Sequence, residues 1–493
     1  MIYLFAIGGT GAKIAHAYTM LCAAGITPKE NISVEMSFLD PDRSNGNVGR
    51  ANDTAVDYAK VRSAVSIVDS SPFLRQEIRP AEETWGPLDG VRETTLAELF
   101  AKSTLKEKHP SLASLMDVLY TKEEQDQDLH YGFRGHPSIG AAVLADRFDP
   151  AAENSPIRNV LKAAEEAAGK HDSISVILLG SIFGGTGAAG VPTLAKGLQS
   201  ELKRLNLTNV SINSVLALPY FGFSFTEEQK NNIGLFADSA SFLDNTRAAL
   251  DYYYHTEVND LFDSTYCIGL DHYARMPTAK EGGADQLNPA CLVELLGATA
   301  IHDIASNEGK SNGLVMLSAY RGGQDIDAPD IPVLSQGDNN LKMTRFTALS
   351  LALKAIVFPI IDADNEQSAQ YPWVRDLLPS KEDSWSNIVG DMLPLKNLAN
   401  SYLRWFSEIG RTTPNLKNVL GGLFRDDSIT DMKRLIELLR NYEKGDDNKA
   451  LYHLIEEYSA ASMHPTNRGN GVAGIMHAMT SAIEKVTSSG TSR

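Results

Sequence analysis

Cysteine is scarce: Cys22, Cys267 and Cys291 are the only three in a chain of 493 residues. All lie among apolar neighbours and none is at metal-ligand spacing from another. This excludes a disulfide scaffold and a cysteine zinc site, and leaves three small core residues of a reducing compartment. Basic charge is also in deficit, with 45 Lys and Arg against 62 Asp and Glu and a formal net charge of −17. Such a chain has no general positive field to hold a phosphate backbone, so nucleic acid is not expected as a partner. Long apolar runs are missing as well. The most apolar candidate, 349–361, contains Lys354 and Pro359, and no membrane span is expected. The chain opens directly on the strand-like Met1-Ile2-Tyr3-Leu4-Phe5-Ala6-Ile7, too short for the regions of a signal peptide. The expected location is therefore cytoplasmic. Absent too are the Lys-Ser/Thr ending of a P-loop and the three-glycine spacing of a dinucleotide fingerprint.

What is present is an ordinary globular composition, 43% hydrophobic, with room for roughly two or three domains. Residues 174–179, apolar and β-branched apart from Ser175, read as a strand buried on both faces of a parallel sheet. After them Val191, Leu194, Ala195 and Leu198 recur at helical spacing, with Pro192 tolerated in the first turn. Between strand and helix lies Gly184-Gly185-Thr186-Gly187. Little side-chain bulk lets backbone N–H groups converge where the positive end of the helix points, which makes a phosphate cradle. A tight βα turn without a ligand has the same look. The N-terminus repeats the pattern: strand 1–7, turn Gly8-Gly9-Thr10-Gly11, helix 12–24. Lys13 there either offers its charge to a phosphate or is solvated.

Four further segments follow in order. Strand 33–40 ends in Asp40-Pro41-Asp42, a paired-acid site for a hard cation or an ordinary Asp-Pro turn. Arg134-Gly135-His136-Pro137 precedes a helix from Ala141. Strand 210–218 runs into Pro219-Tyr220-Phe221. Strand 264–269, with Asn259 just upstream, leads to Leu287-Asn288-Pro289 and a long apolar helix through Ile304. Asn288 is either a ligand-reading side chain or an N-cap.

In this order the six segments resemble the nucleotide loops of the tubulin and FtsZ superfamily of GTPases. The 184–187 turn is similar to its GGGTGSG loop, with Phe183 for the first glycine and Ala188-Ala189 for Ser-Gly. Gly8 to Gly11 is similar to the first loop, Lys13 standing where FtsZ has Asn. Asp40 and Asp42 are similar to the acid pair that holds Mg²⁺, and 135–140 to the loop that closes over the terminal phosphate. Leu218 stands where tubulin has its ribose-binding acid, a place Glu227 or Glu228 would have to fill. Asn259 and Asn288 resemble the guanine readers, Asn259 out of register. The chain is thus identified as a divergent bacterial member of that superfamily.

The resemblance implies an α/β fold: a Rossmann-like parallel sheet in a nucleotide-binding domain at 1–285 with a helical insertion at about 51–130, a central helix at 286–305, and a second, mainly helical domain at 306–493. It implies GTP/GDP and Mg²⁺ as cofactors, bound by Gly8, Gly9, Thr10, Gly11, Lys13, Arg134, Gly135, Pro137, Gly184, Gly185, Thr186, Gly187, Pro219, Asn259 and Asn288, with Asp40 and Asp42 at the metal. It also implies head-to-tail self-association into oligomers or filaments, since the superfamily supplies its catalytic acid from the next subunit. Asp338 is the candidate for that acid, with Asp325 and Asp327 as alternatives. The closest alignment puts Met343 at the catalytic place, so hydrolysis is expected to be slow or absent. Beyond Asp362 apolar stripes such as Tyr402, Trp405, Phe406 and Ile409 mark packing helices. They leave open a nucleotide switch or scaffold that holds a protein partner through its C-terminal helices. An oxidoreductase is disfavoured by the glycine spacing and the paired acids.

Overall fold

The computed structural model of the chain describes residues 1–28, 32–65, 71–222, 241–256, 258–270, 274–275, 282–307, 313–319, 325–363, 371–377, 385–413, 415–416, 423–442 and 448–488, without the side chains of 258–259, 275, 375 and 385–388. Seven strands form its main sheet: β1 Ile2–Ile7, β2 Ser33–Leu39, β3 Glu77–Pro80, β4 Ile174–Ser181, β5 Val210–Ala217, β6 Ser264–Ile268 and β7 Gly313–Leu317. All pair in parallel, in the order β3-β2-β1-β4-β5-β6-β7. This is a Rossmann-like α/β architecture, and chain order reverses between β1 and β4.

The strands are apolar on both faces because both faces are covered. Ile2, Leu4 and Ala6 of β1 point into one core cluster, and Tyr3, Phe5 and Ile7 into the other; this is the two-residue alternation of a strand. On the first face lie α1 Gly8–Ala23, α2 Gly46–Val65 and, after several further helices, the central helix Leu292–Ser306. On the second lie α4 Arg158–Ala168 and α5 Gly185–Arg204, with α3 Pro137–Arg147 packed on α5. With α1 to α5 so numbered, the central helix is α6. The stretch 51–130, expected as an insertion, divides: α2 packs on α1, and β3 extends the sheet beside β2. Short helices such as Pro110–Leu119 occupy the remainder.

The C-terminal helices do not make a separate core. Helices α7 Asn339–Ala352, α8 Trp385–Thr412, α9 Asp431–Arg440, α10 Lys449–Ser462 and α11 Gly471–Ser488 contribute Phe346, Tyr402, Leu435, Leu454 and Met479 to the cluster that also holds α1 and α2. Among the described residues after β7 there is no strand, only the isolated bridge between Ile326 and Leu416. Helix 339–361 runs further than the sequence led one to expect: its 23 residues make the one helix among those described that is long and apolar enough to cross a membrane by length and composition, but 67% of its most apolar window is buried in the fold, as in a core helix, and it makes no clear membrane span. Lys354 and Pro359 do not end it, because a π-turn at Leu353–Val357 changes the hydrogen-bond spacing just before Pro359, which then sits in a fresh first turn. Lys354 reaches Asp431 at 3.1 Å.

Buried His16 joins these layers, its Nε2 lying 3.2 Å from Ser401 Oγ on α8. Burial, reinforced by Arg50, Lys13 and Arg404, holds its pKa well below the ordinary 6.5. Below that pH the unfolded chain takes up a proton that the folded chain refuses, so this contribution to stability is complete above 6.5 and lost as pH falls. The stability difference between wild type and His16→Gln, measured by urea unfolding, should therefore change as pH drops from 7 to 5, at up to about 1.4 kcal/mol per unit. A constant difference would mean that His16 charges inside the fold.

Candidate functional site

The carboxyl ends of β1, β2, β4 and β5 open onto one cleft, at the place where strand order reverses. It encloses about 1000 Å³ of empty space, open mouth included. Both glycine turns line it, and so do Asp40 and Asp42, the 131–135 loop, Tyr220 and the segment around Asn288.

The glycine turns bring two helix N-termini to its floor. Helix α1 starts after Ile7 and α5 after Gly184; neither N-cap makes a side-chain hydrogen bond, and neither first turn holds an acid. Their first N–H groups are thus left for an anion. Gly8 takes a φ of +73°, which favours glycine. A Cβ on Gly187 would come within 2.7 Å of the Ser181 nitrogen, and one on Gly11 would run into the Leu179 carbonyl. Gly11 does not line the cleft; it lets α1 lie against β4. Gly9, Thr10, Gly184, Gly185 and Thr186 do line it.

Lys13 is not solvated. It is 5% exposed, ion-paired with Glu294 of α6, and 5.5 Å from the centre of the Tyr220 ring. The Tyr220 hydroxyl donates to Glu294 Oε1 at 2.7 Å. The Lys13 ammonium lies in direct contact with that carboxylate, which engages one of its three N–H groups, and no hydrogen-bond acceptor among the described residues takes the others. Buried donors in folded proteins are nearly always satisfied, so the remaining N–H groups suit a further acceptor in the cleft.

Asp40 and Asp42, 3% and 2% exposed, are likewise buried. Asp40 accepts from the Asp42 amide at 2.9 Å and from Asn45 Nδ2 at 3.3 Å; Asp42 accepts from Ser44 N, Ser44 Oγ and Gly283 N at 3.0, 2.7 and 2.6 Å. Burial pushes the Asp40 carboxyl up to about 8, against those hydrogen bonds and with the help of the Asp42 charge; no basic side chain contributes. A cation beside the pair would favour the charged form. Two carboxylates suit Mg²⁺, which keeps waters and shares phosphates. No cluster of three or more metal-ligating side chains occurs among the described residues.

Arg134 and Gly135, with φ of +43° and +77°, curl the 131–135 loop against the cleft. Asn245, which the sequence reading did not single out, donates to Gly135 O at 2.9 Å and Phe183 O at 3.1 Å, tying that loop to the start of the 184–187 turn. Pro137 opens α3 outside the cleft lining, and Pro219 is buried beside it. Phe183, in place of a glycine, joins Tyr220, Phe221 and Phe242 in an aromatic wall, 4.6 Å from Phe242 between ring centres. Asn45, Asn47 and Gln286 also line the cleft; the Asn45-Gly46-Asn47 run just after the acid pair was the available signal.

Asn288 lines the cleft and is not the N-cap of α6. That cap is Cys291, in a capping box with Glu294. The Asn259 side chain, Glu227 and Glu228 lie outside the described residues. Asp338 does not line the cleft; its side chain is 61% exposed and pairs with Lys342 at 2.9 Å. Lys342 in turn lies near enough to His302, in the last turns of α6, to act on its charge. That end of α6, through Ile304 and Ala305, lines a groove with Ile2, Ile174 and Val210, the first residues of β1, β4 and β5, at the end of the sheet opposite the cleft. Met343 is fully buried. Asp327 forms a capping box with Asp330, and Asp325 is exposed. No protein-family model matches the chain, and no curated protein matches it.

Proposed function

We propose that the chain binds GTP or GDP with Mg²⁺ in this cleft, as a divergent relative of tubulin and FtsZ, and associates head to tail with little or no hydrolysis. The observation that carries the reading is the meeting of two uncapped, acid-free helix N-termini with the buried Lys13 ammonium, whose ion pair with Glu294 leaves N–H groups to spare. That donor set suits a chain of phosphates. Asp40 and Asp42 would hold Mg²⁺ through its waters, and the metal would neutralise phosphate charge when bound. Identifying the nucleotide released from purified protein tests this directly. A guanine nucleotide is expected; a dinucleotide, or no nucleotide together with no affinity for Mg-GTP, would overturn it.

Association follows from the same reading. Asp338 is exposed and does not line the cleft of its own chain, and a second copy stacked head to tail would have to bring it to the neighbour's. Such heterologous contacts propagate unless they close. Light scattering with Mg-GTP should rise with protein concentration, and turnover, if measurable, should fall to background in Asp338→Ala. Brisk turnover that survives this substitution would move the acid to Asp325. A second reading, a nucleotide-dependent scaffold without hydrolysis, is favoured by the burial of Met343 and by the exposed Tyr452, Ile455 and Met463 on the C-terminal helices, a surface for a protein partner. A GTP-bound monomer in light scattering would select it.

A further inference from the structure

The segment joining the cleft to α6 has no regular structure, yet its backbone is held at four points by side chains from two other helices. Asn47 of α2 accepts from Asn288 N at 3.0 Å, and Arg50 of α2 donates to Asn288 O at 2.7 Å. Glu408 of α8 accepts from Ala290 N at 2.8 Å, and Thr412 of α8 donates to Ala290 O at 2.8 Å. Glu408 is 5% exposed and binds the clamp together: it accepts from Arg50 Nη1 at 3.0 and 3.2 Å and from Arg404 at 2.8 Å. Helix α6 does not need this clamp to begin, since the capping box of Cys291 and Glu294 already satisfies its first turn. What the clamp does set is the position of the Asn288 side chain in the cleft.

We propose that Glu408 is a positioning residue for Asn288, so that a helix of the C-terminal region, outside the cleft, determines how well the site discriminates the base of its nucleotide. This rests on the nucleotide reading above. Glu408 is not among the cleft-lining residues and touches none of the phosphate-side groups. Its loss should therefore weaken base discrimination and leave phosphate binding as it was.

The test compares GTP with inosine triphosphate, which lacks the exocyclic amino group, and with inorganic tripolyphosphate, by calorimetry on the full chain. Asn288→Ala should reduce the preference for GTP over inosine triphosphate by about tenfold, the worth of one lost polar contact in a closed site. Glu408→Gln should reduce it several-fold, and Thr412→Val, which leaves the buried charges intact, by less. None should change tripolyphosphate affinity. The double variant Glu408→Gln/Asn288→Ala should show no further loss beyond Asn288→Ala, because both act on one contact. Equal weakening of all three ligands, or additive losses, would make Glu408 a structural residue only. Wild type that binds none of the ligands would instead overturn the nucleotide reading. Amide exchange in ligand-free protein decides the clamp itself: exchange at Asn288 and Ala290 should speed up in both Glu408→Gln and Thr412→Val while α6 stays protected, and unchanged exchange would overturn the proposal whatever binds.

Discussion

Lys13→Met should reduce Mg-GTP affinity by roughly a hundredfold and also destabilise the fold, and adding Glu294→Gln should restore the stability without restoring the binding. Both effects come from one buried pair. Removing the ammonium leaves the Glu294 carboxylate, 1% exposed, without its countercharge, and breaking a buried pair from one side typically costs about 3–5 kcal/mol. Glutamine at 294 removes that stranded charge. Its one amide oxygen completes the capping box of α6 by accepting from Cys291 N, for which Gln serves as well as Glu, while its amide nitrogen takes the other place and donates to the Tyr220 hydroxyl oxygen. Affinity does not return, because hydrogen bonds from a charged donor to phosphate, each about 1.5–3 kcal/mol, went with the lysine. Urea unfolding and calorimetry on the same samples separate the two. Wild-type affinity in the double variant would show that the Lys13 ammonium serves only Glu294, and the phosphate reading would lose its main support.

Gly187→Val should lose both stability and binding, whereas Gly9→Ala should keep stability and lose about tenfold or more in affinity. The structure separates these two glycines by what surrounds them. At Gly187 a side chain meets the Ser181 backbone nitrogen and oxygen at 2.7 and 2.8 Å, atoms of β4 that cannot step aside. Overpacking of that kind costs at least about 1–3 kcal/mol. Loss of ligand binding in Gly187→Val alone therefore cannot distinguish a broken cradle from a broken fold. At Gly9 the nearest atoms are the side-chain amide nitrogens of Asn47 and Asn45 at 3.3 and 3.5 Å, contacts that a shift of a few tenths of an ångström relieves with their hydrogen bonds to Asn288 and Asp40 kept, and alanine is a better helix residue than glycine by up to about 1 kcal/mol. The added methyl sits at the uncapped start of α1, where a phosphate would approach the backbone. Thermal unfolding without ligand provides the control. If Gly9→Ala binds Mg-GTP like wild type, α1 does not take part in anion binding.

How much of this was legible beforehand depended on the range of the interaction. The apolar runs at 2–7, 174–181 and 210–217 specify strands buried on both sides, since only a sheet with both faces covered tolerates them. The two glycine turns were legible for a similar reason: a strand, a run without side chains and an apolar helix are adjacent in the chain, and their geometry is local. The spacing of Asp40 and Asp42 was equally plain, and their alternatives were not. Whether an acid is solvated or buried depends on what packs over it, here Gly283 and Asn45.

The tertiary structure alone decided the rest. Lys13 meets Glu294, and Asn245 joins Gly135 to Phe183, across long stretches of sequence that no periodicity relates. Asn288 was read as either a cap or a cleft residue because an Asn before a helical stripe fits both; the true cap, Cys291 with Glu294, lies where α6 leaves the clamp of Arg50, Glu408 and Thr412. Asp338 was a candidate acid by resemblance alone, and that it stays out of the cleft lining and pairs with Lys342 was decided by the fold. The C-terminal stripes announced helices and said nothing about their partner. That they pack on one another and also, through α8 and α11, on α2 was settled by which apolar faces remained uncovered, because burial is a sum over the whole chain and amphipathic periodicity records only that a face must be covered, not by what.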